Sequence, residues 1–164
     1  LAFSVHVSLL RFALPRRLVG CALAALFGLV LAVNPATAPH ADAAVPASVS
    51  YAAVRVAASQ AGVRYRIGGT SPRTGFDCSG LTRYAYGKVG KRLPRTAQQQ
   101  YAAALKIARK SARPGDLVFF TSGSRVSHVA IYAGSGYVWH APKPGKRVAK
   151  ARIWTSAVTF GRVR

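Results

Sequence analysis

At 164 residues the chain has room for one small domain with a real core, and no internal repeat points to a second. It carries 24 Lys and Arg against 3 acidic residues, Asp42, Asp77 and Asp116, with no Glu, for a net charge of +21. So few carboxylates exclude the usual glycosidase, which needs two across the bond, and a zinc peptidase that relies on a glutamate base.

Leu18 to Val33, "LVGCALAALFGLVLAV", is an apolar run behind Arg11, Arg16 and Arg17. It is short for a bilayer span and suits the apolar region of an export signal. Small-residue cleavage sites follow at Ala36-Thr37-Ala38 and Ala41-Asp42-Ala43; Pro39 comes straight after the first, so the second is expected, leaving a mature chain from about Ala44. An uncleaved anchor is the competing reading. Cys21 opens its apolar run rather than ending it, which argues against a lipid-modified cysteine, and Arg16-Arg17 is a weak twin-arginine signal. The expected organisation is a signal segment over 1–43, a short linker over 44–50 and one domain over 51–164.

Removing the leader also removes Cys21, His6 and His40. The mature domain keeps one cysteine, Cys78, two histidines, His128 and His140, and a net charge of +19, from 21 basic and 2 acidic residues. A lone thiol in an exported protein can form no internal disulfide. A small buried hydrophobe is the usual role of an arbitrary cysteine, but the flanking Asp77 and Ser79 do not read as core.

Ser50 to Ala61 predicts a helix with Ala53, Val56, Ala57 and Gln60 on one stripe, ended by Gly62. A Gly- and Pro-punctuated loop follows. From Cys78, small or apolar residues recur at Leu81, Thr82, Ala85 and Val89, giving an amphipathic helix with the thiol at its N-terminal end and Asp77 as N-cap. The helix dipole there favours thiolate, its amides can donate to an oxyanion, and Gly75 and Gly80 would admit a substrate backbone. A charged Asp77 opposes thiolate formation unless its carboxylate turns into the cap or toward a cationic substrate group.

"LPRTAQQQYAAALK" predicts an extended lead-in and a short helix from about Thr96. Residues 116–120, 128–134 and 136–141 read as consecutive antiparallel strands with a hairpin at Gly134-Ser135-Gly136. Pairing across that hairpin with residue numbers summing to about 270 sets 130 opposite 140. It also places His128 and His140 on one face within reach of each other. Cys78, His128 and His140 contain no close-spaced pair of the kind zinc sites use. Helix-borne thiol, strand-borne imidazole and a further polar group on the next strand are instead the parts of thiol catalysis, which needs neither metal nor cofactor.

The blocks "YRIGG" (65–69), "FDCSGLTRYAY" (76–86), "LPRTAQQQ" (93–100), "PGDLVFF" (114–120), "SHVAIYAG" (127–134) and "VWHAP" (138–142), in that order, resemble the NlpC family of papain-like cell-wall cysteine peptidases. The resemblance implies an α+β fold, papain-like, with a nucleophile-bearing helix packed on a small antiparallel sheet. It implies Cys78 as nucleophile, His128 as general base and acid, and His140 as the orienting residue. Tyr65 would line the site and help hold oxyanion or substrate, and Asp77 and Ser79 would contact the acyl-side peptide, with the N-cap role of Asp77 equally weighted. Arg95 is structural or substrate-facing.

The implied substrate is a peptidoglycan stem peptide, cut between D-glutamate and the diamino acid. An amidase or acyl transferase on another amide shares the chemistry. The positive charge predicts attraction to anionic wall polymers, and a cationic wall- or membrane-binding protein with little catalysis is the alternative from another class. The basic residues are scattered and no nucleic-acid motif appears, so no specific nucleic acid is expected. A secreted or envelope-bound monomer follows, touching membrane only through the signal segment.

Overall fold

The computed structural model describes residues 43–164; the expected signal segment, with Cys21, His6 and His40, lies outside them. Helix α1 (Ala47–Ser59) leads into a two-residue hairpin, β1 (Thr70–Ser71) and β2 (Gly75–Phe76), and then α2 (Cys78–Gly87) and α3 (Ala97–Ala103). Strands β3 (Leu105–Ile107), β4 (Leu117–Ser122), β5 (Arg125–Gly134), β6 (Tyr137–His140), β7 (Ala149–Arg152) and β8 (Val158–Arg162) form one antiparallel sheet in the order β3-β8-β4-β5-β6-β7. The architecture is α+β, helices on one face of an antiparallel sheet.

Alternation along the strands builds two cores. Leu117, Phe119, Val129 and Ile131 face the helices and meet Ala53 and Ala57 of α1 and Ala85 and Tyr86 of α2. Val118, Phe120, Ala130, Val138 and Phe160 pack on the opposite face. The α1 stripe presents two alanines with no exposed surface, so the helix lies close to the sheet. Among the described residues no helix is long and apolar enough to cross a membrane.

The β5–β6 hairpin has the expected register, with Ile131 opposite Trp139 and Tyr132 opposite Val138, before an irregularity at Gly134. One boundary differs. The stretch expected as a linker, 44–50, already carries the start of α1. Val45 is 1% exposed and its N–H donates to the Val163 carbonyl at 2.9 Å. A valine buried against the last strand ties this stretch into the domain.

Candidate active site

Asp77 caps α2 from extended backbone, its Oδ1 accepting from the Gly80 amide at 2.7 Å. Ser79 Oγ donates to the same oxygen at 3.2 Å, and the Gly68 amide donates to Oδ2 at 3.0 Å. Arg95, from the turn before α3, grips both oxygens and reaches Ser79 Oγ at 3.0 Å. Five donors on a carboxylate with about four lone-pair sites leave no acceptor idle. Burial alone would raise the Asp77 pKa; the Arg95 hydrogen bond and charge and the Gly80 and Gly68 amides outweigh it and hold the carboxyl below its ordinary range. The carboxylate thus turns into the cap and onto the chain's own arginine.

Ser79, 4% exposed, is fixed between Asp77 and Arg95. In this arrangement both residues hold α2 in place and neither presents an uncommitted side-chain group. Gly80 also differs from expectation. A Cβ there would stand 2.0 Å from the Gly69 carbonyl, and one at Gly75 would stand 2.7 Å from the Arg64 carbonyl. The backbone that approaches these glycines is the neighbouring loop of the same chain, not a substrate.

Cys78 opens α2, half-buried, and is a free thiol. Its surroundings follow from the β5 ladder. Tyr132 N donates to Asp116 O on the β4 side, so even-numbered β5 amides point to β4 and odd ones toward β6. Pairing with β6 extends back only to Ile131, and the next odd amide, Val129, is the backbone group that most favours the Cys78 thiolate. The amides of Ser79 and Cys78 itself also favour the thiolate. Burial nevertheless pushes the thiol pKa up, the Asp77 charge adds to it, and the three amides do not cancel the rise. The helix terminus therefore does not make thiolate the resting form, because desolvation outweighs it.

His128 precedes Val129, and its Nε2 lies 3.0 Å from Nδ1 of His140, with the rings nearly perpendicular at 84°. That leaves His128 Nδ1 as the nitrogen without a hydrogen bond. Burial, then the neighbouring His140, lowers the His128 pKa to about 4; burial also lowers that of His140, which is 7% exposed. Tyr65 sits half-buried against Phe76, Leu81, Ala141 and Val148. Its phenol pKa is raised by burial and then by the charges of Cys78 and Asp77.

Two contributors escaped the sequence reading. Gln100, 1% exposed, accepts from Thr82 Oγ1 at 2.7 Å and donates to the carbonyls of Ser79 and Pro94 at 3.0 and 2.9 Å, clamping α3 to the nucleophile helix and the Arg95 turn. Trp154 lies between β7 and β8, where no periodicity signals it. Val158 of β8 pairs with Phe120, and this brings Trp154 into a parallel stack on Phe120, centroids 4.1 Å apart, and 5.2 Å from the His140 ring. Ser127, His128, His140, Pro142, Lys143 and Trp154 enclose an open cavity of about 440 Å³.

A thiol at a helix terminus, with backbone amides that favour its thiolate, and a neutral imidazole pair on the sheet are the parts of acyl transfer. The NlpC/P60 family model matches residues 62–160, most of the described chain. The chain belongs to the NlpC/P60 family. It is 43% identical over 109 residues to the bifunctional muramidase/DL-endopeptidase CwlT of Bacillus subtilis, covering 63% of this chain and 33% of that protein. The chain spans about a third or less of the length of the first curated relatives it matches. The NlpC/p60 domain of the peptidoglycan hydrolase SagA superposes with a TM-score of 0.63 at 38% identity, covering 70% of this chain and 98% of that one. Structures of the resuscitation promoting factor interacting protein RipA, mutated at a cysteine, a histidine and a glutamate, align with TM-scores of 0.64, 0.64 and 0.65. They are 33%, 33% and 32% identical and cover 73%, 73% and 76% of this chain and 65%, 65% and 67% of theirs.

Proposed function

We propose that the domain is an exported cysteine endopeptidase that hydrolyses peptidoglycan stem peptides at the bond between D-glutamate and the diamino acid. One observation carries the reading: the His128–His140 hydrogen bond at 3.0 Å, which pairs the only two histidines of the described chain. For His128 Nδ1 to take a proton from Cys78, its Nε2–H must donate to His140 Nδ1, which fixes the tautomers of both rings. In RipA the mutated histidine and glutamate are 12 residues apart, the spacing of His128 and His140 here. A histidine in place of an acid orients the base without adding negative charge, consistent with a His128 pKa near 4.

The resting pair is then neutral, and His128 takes the thiol proton as sulfur attacks the carbonyl carbon. In this reading the amides of Cys78 and Ser79 and the Tyr65 hydroxyl receive the oxyanion. As the C–N bond breaks, His128 returns its proton to the leaving amine. Water then attacks the thioester, with His128 as base, and Cys78 is restored as a thiol. Export through the 1–43 segment and cleavage near Ala44 place the enzyme at the wall.

The test is digestion of purified muropeptides by wild type and Cys78→Ser, read by mass spectrometry. Loss of new products in the variant is expected; equal product from both defeats the proposal. A second reading, a cationic wall-binding protein with little catalysis, is favoured by the charge of the chain, +21 as a whole. Salt-sensitive binding to sacculi without cleavage, undiminished in Cys78→Ala, would select it.

A further inference from the structure

Beyond the peptidase reading, and whether or not the chain cuts peptide, we infer that a basic recess at the C-terminal end of α2 binds a linear anionic polymer through its phosphodiester groups. Arg83 and Gly87 are four residues apart and share one face of α2. Gly87 has no side chain, and a Cβ there would meet nothing within 4 Å, so the helix surface falls away beyond Arg83. The helix ends in a Schellman turn at Gly90, whose φ is +80°. Gly90 N–H donates to the Gly87 carbonyl at 3.2 Å and Lys91 N–H to that of Tyr86 at 2.9 Å. That turn folds Lys91 and Arg92 back beside Arg83, and with the two glycines these three cations enclose an open cavity of about 310 Å³.

Like charges gathered in one recess repel, and nothing within the fold offsets them here. Helix capping does not call for them, since the carbonyls of Tyr84, Tyr86 and Gly87 already accept from backbone amides. Both acidic residues of the described chain are committed elsewhere, Asp77 to Arg95 and Asp116 to Arg162. Arg83 and Lys91 are nevertheless half-buried. An anion supplies the missing partner, and two guanidinium groups beside an ammonium suit a phosphate.

The lining also selects among phosphate carriers. No aromatic ring belongs to it, so nothing stacks a nucleobase. The exposed large apolar side chains, Tyr51, Ile67, Leu105 and Trp154, all lie outside it, so nothing there anchors in a lipid surface. Arg92 also lines a second cavity, of about 250 Å³, whose wall includes Leu93, Pro94 and Leu117. Two cavities sharing one cation, one basic and one partly apolar, fit a chain in which phosphates alternate with short carbon links. The thiol opens the same ten-residue helix, about 15 Å from its far end, so a bound polymer leaves the reacting end uncovered.

The experiment measures binding of the full chain to synthetic poly(glycerol phosphate) across salt concentrations. A recess variant, Arg83→Gln with Lys91→Gln and Arg92→Gln, is compared with a control, Lys146→Gln with Lys150→Gln and Arg152→Gln. The control removes the same charge from exposed positions on and before β7. At about 0.15 M salt the recess variant should bind about tenfold more weakly than wild type, and the control less than about threefold. The log–log salt slope of the recess variant should fall by about two, from three contacts at roughly 0.7 each. Arg92→Gln alone, at an exposed position, should lower the slope by about 0.7 and carries the test if the triple variant does not fold. Equal losses in recess and control variants, or no loss in the recess variant, would overturn the inference and leave only diffuse attraction. Tighter recess-dependent binding to a thymidine oligonucleotide or to phosphatidylglycerol vesicles than to the polymer would overturn the choice of partner. Muropeptide cleavage is read separately, so neither result bears on the peptidase reading.

Discussion

The His128 imidazole sits under Trp154 and Phe120 and beside His140, and desolvation by that packing is the main reason its pKa falls to about 4. Trp154 is exposed on its outer face, so Trp154→Ala removes the roof without removing a core residue. Its effect should be spectroscopic as well as kinetic. The acid limb of kcat/KM, set by protonation of the free base, should move up from about pH 4 toward about 6.5, the value of a solvated imidazole. A pH–rate profile and histidine NMR titration measure it, and an unmoved limb would show that other burial dominates. His140→Ala should cost activity by about tenfold or more, because His128 then loses the acceptor that fixes its tautomer. His140→Gln, which keeps an acceptor, should recover part of that loss in kcat.

At the scale of elements, α2 is held by its buried apolar face, Leu81, Ala85 and Tyr86, and by a close contact to its backbone. Gly80 has Gly69 against it, so Gly80→Ala must displace the start of the helix and with it the thiol. Loss of several kcal/mol of stability is expected from urea titration, together with near-complete loss of activity. Gln100→Leu should cost about 1–3 kcal/mol, since it takes the side-chain donor from the Pro94 carbonyl, while the Thr82 hydroxyl keeps its bond to the Ser79 carbonyl. The nucleophile helix, its Asp77 cap and the β5–β6 register were legible in the sequence, because capping, 3.6-residue periodicity and strand alternation are local signals. The imidazole pair followed from that register. Trp154 was not legible, since its place over the histidines depends on β8, the last strand, inserting between β3 and β4 in the sheet. Arg95 was ambiguous until α3 was seen to aim it at Asp77, a contact 18 residues away in sequence. Val45, within the stretch read as a linker, carries no periodicity, and its burial is decided by the far C-terminus.

Over the whole molecule, positive charge and two kinds of perturbed group shape the response to acid. His128 binds its proton less readily folded than unfolded, so stability should fall as pH drops from about 6.5 through about 4, where the unfolded chain takes the proton first. Asp77 is depressed by Arg95 and its amides, so its contribution is present above the unfolded value near 3.8 and is lost as pH falls further. Urea midpoints against pH should therefore decline in two successive windows, and His128→Gln should shrink the upper one, to which His140 also contributes, and leave the lower one unchanged. Most directly, rapid acid quench of the enzyme with a stem-peptide substrate, followed by digestion and mass mapping, asks whether sulfur carries the acyl group. A transient thioester on Cys78 with the mass of the acyl-side fragment is expected. Turnover with no adduct at Cys78, sustained after Cys78→Ala, would contradict it.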